Sequence, residues 1–378
     1  MSPDVIVVGG GLMGCSVARR LAKDGMRVLV LERSVPGAEA SSAAAGILGP
    51  TVESFDDALA LQLGRRSREL HAELADEVDE LFGIDVGFRR CGVLKIALDQ
   101  TELDELDLQA SRLEIQGIRC NRWTPEELVH EEPSANPDAA GALSIPEDAQ
   151  VEPKMLLSAV ALGAEQEGAV FRTGSTVRSI RAEGGRVRGV QLDEEVIAAE
   201  RVVVAAGSWT TLVAGLPLHP KTIYPVRGQM IATHTRPPVF RRIVFGAGGY
   251  VVTRPDGRAL CGSTMERVGF ERGITFGGLA DVIRKATRIA PSLASASIED
   301  HWSSFRPGTP DGLPLVGETT IEGLFLASGH YRNGILLAPL TAELIAEAMS
   351  GAPSSREAEA LSPRLAFFHR HLGCIFIL

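Results

Sequence analysis

Val5-Ile6-Val7-Val8-Gly9-Gly10-Gly11-Leu12-Met13-Gly14 decides how this chain is read. Four β-branched residues in a row have the pattern of a strand buried on both faces of a parallel sheet. Gly9, Gly11 and Gly14 then fall in the register G-x-G-x-x-G. Gly9 permits the tight turn, Gly11 lets a pyrophosphate approach the backbone, and Gly14 lets a helix pack against the strand. Leu12 and Met13 are the variable positions of the motif. A helical pattern follows this turn, and the free N–H groups and positive dipole end of its N-terminus suit phosphate. Val17, Leu21 and Ala22 share its inner face, and Lys23-Asp24-Gly25 closes it. Met26 to Leu31 reads as a second strand, ending in Glu32. A carboxylate there is placed for both hydroxyls of a nucleotide ribose and repels a 2′-phosphate. The strand before, the helix after and the acid beyond turn a weak glycine motif into a dinucleotide fingerprint. The fingerprint alone leaves NAD and FAD both open. Arg33 follows it, and then Ala40-Ser41-Ser42-Ala43-Ala44-Ala45-Gly46-Ile47. Backbone so rich in small residues can lie against a large flat ligand; standing alone, it also reads as a flexible loop.

The remaining chain fits around that start. Its 378 residues suggest two structural units, and 45% apolar with 23% charged residues is a globular composition. A formal charge of -10 with no basic block speaks against nucleic acid. Cys15, Cys91, Cys120, Cys261 and Cys374 are dispersed without a CxxC, the usage of a reducing compartment. The N-terminus lacks a basic n-region, and no apolar run is long enough to span a bilayer. The expectation is therefore a cytoplasmic protein with no transmembrane segment. The apolar tail Leu372 to Leu378 has no assigned role.

Residues 57–82, 101–116, 155–166, 279–289 and 333–349 read as helices, and a shorter one starts at Thr124-Pro125. Gly184-Gly185 joins two short strands as a hairpin, and residues 222–264 alternate as an antiparallel meander. Leu324 to Ser328 returns to buried-strand character and enters Gly329. The expected class is α/β: a discontinuous Rossmann-like cofactor domain (1–85, 142–217, 307–352) with an inserted antiparallel-sheet α+β substrate domain (86–141, 218–306). Residues 353–378 are set aside as a C-terminal tail.

Two segments could carry chemistry. Trp302 to Gly312 places Arg306 at a strand end between Phe305 and Pro307. A guanidinium fixed in that way suits a planar carboxylate; the alternative is a structural Arg binding strand-end carbonyls. Gly329-His330-Tyr331-Arg332-Asn333-Gly334-Ile335 precedes the last helix, where backbone N–H groups and Arg332 would favour negative charge. His330 reads chiefly as a loop hydrogen-bonder rather than a base. Tyr250, on the meander, could bond the same carboxylate or be an ordinary core aromatic. No metal-ligand spacing or hydrolase motif occurs, so no metal is expected.

Taken together, these segments resemble the FAD-dependent amine oxidases of the D-amino-acid-oxidase superfamily, and most nearly the bacterial glycine oxidases. The fingerprint, the Ser41–Ile47 loop and Val203 to Trp209 are superfamily-wide. The segments R-P-G-T-x-D-G from Arg306 and G-H-x-R-N-G-I-L-L-A-P from Gly329 are more specific. The resemblance implies noncovalent FAD on Gly9, Gly11, Leu12, Met13, Gly14, Glu32, Arg33, Ser41, Ser42, Ala45, Gly46, Ile47, Val177, Ala206, Gly207, Trp209, Gly329, His330, Arg332, Asn333, Gly334 and Ile335. It also implies that Arg306 and Tyr250 bind the substrate carboxylate and that Arg332 and Met265 border the pocket. The implied substrates are glycine, sarcosine or small D-amino acids with O2, in a homo-oligomer, a homotetramer by that resemblance, serving thiamine biosynthesis. Rival expectations within the superfamily are a D-amino-acid dehydrogenase and a sarcosine or proline oxidase.

Overall fold

The computed structural model describes residues 2–53, 57–351 and 353–364. Val5–Val8 lies near the centre of a six-stranded sheet, with all four residues buried. Its neighbours are Val28–Leu31 on one side and Val202–Val204 on the other, both parallel. Val170–Arg172 and Leu324–Ser328 extend the parallel run, and Leu315–Glu318 closes one edge antiparallel. Because alternate side chains leave opposite faces, Val5 and Val7 enter one core while Ile6 and Val8 enter another. The first core is covered by the helices Leu12–Lys23, Pro153–Gln166 and Ala338–Ser350. A three-stranded antiparallel sheet, Ser179–Glu183, Arg186–Gln191 and Val196–Ala198, covers the second. Burial on both faces explains why these strands are uniformly apolar rather than alternating.

A second sheet has eight strands. In spatial order they are Ile298–Gly308, Tyr224–His234, Arg258–Gly262, Gly249–Thr253, Ile243–Gly246, Val93–Ala97, Gly141–Ile145 and Asn121–Trp123. All pairings are antiparallel except Ile243–Gly246 with Val93–Ala97. The helix Phe276–Ile289 packs on it through Val282, Ala286 and Ile289. We propose that the two units follow the two sheets, which moves two of the expected boundaries. Residues 142–145 belong to the eight-stranded sheet, and the strand Ile298–Gly308 crosses the division expected at 306/307.

The last long helix starts at Ala338 rather than at residue 333. Pro339 lacks an N–H and is tolerated only in a first turn, so it fixes the start there. The preceding residues 334–337 form a turn. Of the set-aside tail, Arg356–Leu361 is a short helix with Leu361 buried, while Leu372 to Leu378 and Cys374 lie outside the described residues. No helix among the described residues is long and apolar enough to cross a membrane, and they contain no metal-binding cluster.

Candidate active site

A cavity of about 390 Å3 runs from the first glycine turn to the Ile298–Gly308 strand. The glycine turn is built from backbone that approaches closely. At Gly9 (φ 107°) a Cβ would meet the Ala205 carbonyl at 2.6 Å, and at Gly14 it would meet the Gly9 carbonyl at 1.9 Å. Gly14 therefore serves helix–strand packing and does not line the cavity, whereas Gly9, Gly11, Leu12 and Met13 do. The Leu12 N–H donates to Ser41 Oγ at 2.9 Å. Glu32 accepts from the Gly10 N–H (2.7 Å) and the Ser34 N–H (2.8 Å), one on each oxygen. It thus fixes the turn while each oxygen keeps a lone pair for a ribose hydroxyl. Arg33 lies over the Trp209 ring, 4.0 Å from its centroid, and pairs with Glu39 at 2.5 Å.

The walls between are equally bare. Gly207 takes a left-handed φ of 53°, lines the cavity, and has no protein atom within 4 Å of where a Cβ would stand. Val177, Ala206, Trp209, Ala45, Gly46 and Ile47 also line the cavity. The 40–47 segment is fastened from outside: Trp302 Nε1 donates to the Ala43 carbonyl (2.9 Å), and Arg254 donates to that of Ala45 (2.8 Å). Ser42 is not on the wall; its Oγ approaches Gly37 instead. At the far end His330, Arg332, Asn333, Gly334 and Ile335 line the cavity, and Gly329 (φ 82°) turns the chain behind them.

That last loop is held from below by two residues of the helix Ala58–Phe82. Ser67 Oγ donates to the Leu336 carbonyl at 2.6 Å, and His71 Nε2 bonds the Ile335 carbonyl at 2.9 Å. Burial pushes the His71 pKa down to about 4, so it sits there neutral. His330 is 2% exposed, shares a hydrogen bond with Thr341 Oγ1 (2.9 Å), and is pushed by burial to about 3. It is a neutral histidine that bonds the first turns of the helix Ala338–Ser350.

Arg306 and Tyr250 both line the cavity. The Arg306 guanidinium folds over Gly228, where a Cβ would lie 2.1 Å from Nη1. Nη2 donates to Ser263 Oγ at 2.7 Å and Nη1 to the Thr264 carbonyl at 3.3 Å. No carboxylate among the described residues pairs with it. Tyr250 is buried against Gly262, and its hydroxyl reaches only Met230 Sδ, at 3.6 Å. A cation without a carboxylate partner among the described residues and a phenol bonded only to a thioether thus flank the Gly262-Ser263 pair. Met265 does not line the cavity; it is 58% exposed, and its Sδ accepts from Tyr331 and Arg332, each at 3.4 Å. Only Glu32 and Glu39 are acidic on the described wall, and both are already engaged, Glu39 also by Arg272 at 2.6 Å.

Gly228, Ser263, Ser304, Ser67 and His71 escape a sequence reading. Gly228 carried a signal, since a glycine inside a strand often marks a close approach. Ser67 and His71 carried another, as polar residues four apart on an otherwise apolar helix face. The Ser263 and Ser304 positions carried none.

The residues fit FAD on three observations: a phosphate-type turn at one end, backbone facing open space at Gly207, and a buried Ser304 Oγ on the wall without a hydrogen-bond partner. Comparison with known proteins agrees. A family model described as DAO, FAD dependent oxidoreductase, matches residues 4–348. The glycine oxidase of Geobacillus kaustophilus is 37% identical over 352 residues, 91% of this chain and 92% of that protein. The bifunctional protein ThiO/ThiG of Trichormus variabilis is 36% identical over 92% of this chain but 52% of its own length. The chain thus spans about half the length of such bifunctional relatives. The crystal structure of the Geobacillus kaustophilus glycine oxidase has a TM-score of 0.90 at 35% identity, covering 96% of this chain and 98% of that one. That of iminodiacetate oxidase from Chelativorans sp. BNC1 has 0.87 at 28% identity, covering 95% and 99%. The chain belongs to the DAO family of FAD-dependent oxidoreductases, and FAD is its cofactor.

Proposed function

We propose that this enzyme oxidatively deaminates glycine and similarly small amino acids, with O2 as the electron acceptor and an imine and hydrogen peroxide as products. The observation that carries the reading is Arg306: a fixed guanidinium on the wall of the FAD cavity, with no carboxylate partner among the described residues. Relatives called glycine oxidase support the choice of substrate. FAD, when bound in this cavity, would supply the two-electron oxidation of the amine and its coupling to oxygen. The chain itself binds and orients. Arg306 offers parallel N–H groups to the carboxylate, and the Tyr250 hydroxyl adds a third donor. Both fix the α-carbon relative to the cofactor, which is where most of the rate would come from.

No unengaged acid lies on the described wall to hold an ammonium group, and His330 is neutral, buried and bonded to Thr341. The substrate amine therefore reacts in its neutral form, and no side chain need act as base. Supply of the imine to the thiazole of thiamine is part of the proposal, supported by the bifunctional ThiO/ThiG relatives. So are a cytoplasmic location, supported by the dispersed cysteines, and assembly into a homotetramer, which rests on family resemblance. The test is the visible spectrum of the yellow protein, recorded with glycine in the absence of air and again on admitting air. Bleaching followed by recovery is expected. Bleaching without recovery would replace the oxidase by a dehydrogenase, and bleaching only with D-alanine or D-proline would move the substrate.

A further inference from the structure

We propose that Ser263 is a third member of the carboxylate clamp, donating its hydroxyl hydrogen directly to the substrate; this rests on the amino-acid reading of the Arg306 site. Ser263 lies one residue beyond the strand Arg258–Gly262, on the cavity wall, and is 9% exposed. Its Oγ is an acceptor toward Arg306 Nη2 at 2.7 Å. A hydroxyl has one donor and two acceptor positions. The bond from Arg306 fills one acceptor position and leaves the hydrogen without an acceptor among the described residues. The guanidinium that touches this oxygen also holds the substrate carboxylate. The carboxylate oxygen is then beside Oγ, and it is the acceptor the hydrogen needs. The arrangement has a mutual logic: the Arg306 N–H polarises the Ser263 hydroxyl, which makes it a better donor to the anion.

Neighbouring groups keep Ser263 in that attitude. The Thr264 carbonyl accepts from Arg306 Nη1, and Thr264 Oγ1 accepts from the Gln229 N–H at 2.9 Å. The Gln229 side chain, fully buried, is bonded to Glu266 (2.7 Å) and Thr275 (3.0 Å). The segment carrying Ser263 is therefore tied to the Tyr224–His234 strand on one side and to the N-terminus of the Phe276–Ile289 helix on the other. A hydroxyl so fixed costs little further ordering when the carboxylate arrives.

The test is the binding of acetate, a carboxylate that cannot be oxidised, followed by its perturbation of the FAD spectrum, together with KM and kcat for glycine. Ser263→Ala should raise the acetate Kd and the glycine KM by about tenfold, as for a lost hydrogen bond to a charged group, with a smaller change in kcat. Ser263→Thr, which keeps the hydroxyl, should recover most of the loss. An acetate Kd for Ser263→Ala within twofold of wild type overturns the proposal. In an Arg306→Lys background Ser263→Ala should still weaken acetate several-fold; no further loss there would reduce Ser263 to a support of Arg306 and equally overturn it. Failure of Arg306→Ala to weaken acetate would instead sink the carboxylate reading itself. FAD content and Tm of each variant separate these outcomes from misfolding.

Discussion

Gly228→Ala is the substitution that most directly tests how the clamp is built. Gly228 sits in the strand Tyr224–His234, opposite Ser304 and two pairs from Arg306, on the same face of the strand pair. Its backbone lies outside the left-handed region, so alanine is conformationally acceptable there. A Cβ would stand 2.1 Å from Arg306 Nη1 and 2.5 Å from both Cζ and Nη2, where ordinary contact begins at 3.4 Å. The guanidinium must therefore retreat by 3.4 − 2.1 = 1.3 Å. It is the far end of a flexible side chain, so the fold should absorb the change at little cost. The function should not. A retreat of that size breaks the 2.7 Å bond to Ser263 and withdraws the N–H pair from the carboxylate. Losing a hydrogen bond to a charged group costs about 1.5–3 kcal/mol, and each 1.36 kcal/mol is tenfold. The expectation is a fall in kcat/KM for glycine of about 10- to 150-fold.

The assay is steady-state oxygen consumption, with FAD content and thermal unfolding measured on the same preparation. Tm should hold, or rise slightly because alanine restricts the unfolded chain more than glycine does. A kcat/KM within twofold of wild type would show that the Arg306 position does not govern substrate binding. A large loss of Tm together with FAD would show that the strand yields before the arginine, which contradicts the clearance argument.

Other expectations follow from the same geometry. Arg306→Ala should lower glycine kcat/KM by at least the factor expected for Gly228→Ala, whereas Tyr250→Phe should cost about 1 kcal/mol for one neutral donor; the reverse order would exchange their roles. Gly14→Ala places a Cβ 1.9 Å from the Gly9 carbonyl, a backbone atom with nowhere to go. It should lower both Tm and FAD affinity, and a variant that purifies yellow with unchanged Tm would contradict the packing role. Folded His71 stays neutral down to about pH 4, whereas an unfolded histidine takes its proton near 6.5. Stability is thus unaffected by His71 above about pH 6.5 and is lost progressively below it, by about 2 kcal/mol at pH 5. Urea unfolding of His71→Gln should lose about that much less than wild type between pH 7.5 and 5; parallel losses would show that His71 is charged in the fold. With no unengaged acid for the amine, kcat/KM should rise about tenfold per pH unit below the substrate amine pKa. A pH-independent kcat/KM across that range would show that the ammonium form is bound and used.

What the sequence discloses, and what it hides, follows from how far apart the deciding residues lie. The Gly9–Glu32 unit is legible because strand, turn, helix and acid are contiguous, and the close approach at Gly14 is to the carbonyl of Gly9 in the same turn. Gly14 is an instructive case: the motif assigns it to packing, and packing keeps it off the cavity wall although its neighbours line it. The strand Gly141–Ile145 is hidden for the opposite reason. G-A-L-S-I is short and opens with Gly and Ala, which have low strand propensity, and only pairing with Val93–Ala97 and Asn121–Trp123 makes it a strand. Arg306 is intermediate. Its segment shows that it is held, but whether its partners are strand carbonyls or a ligand depends on residues brought in by other strands. In the structure one N–H goes to the Thr264 carbonyl and another to a serine hydroxyl, while the residue lines the cavity and no acid on its described wall pairs with it. Under the proposed function a structural arginine and a carboxylate-binding arginine are not alternatives. The bonds that fix the guanidinium are what make it an effective anion site, because a flexible one would pay its ordering entropy each time substrate bound. Gly228 completes the same argument from the other strand, since its missing side chain is the space in which the fixed guanidinium lies.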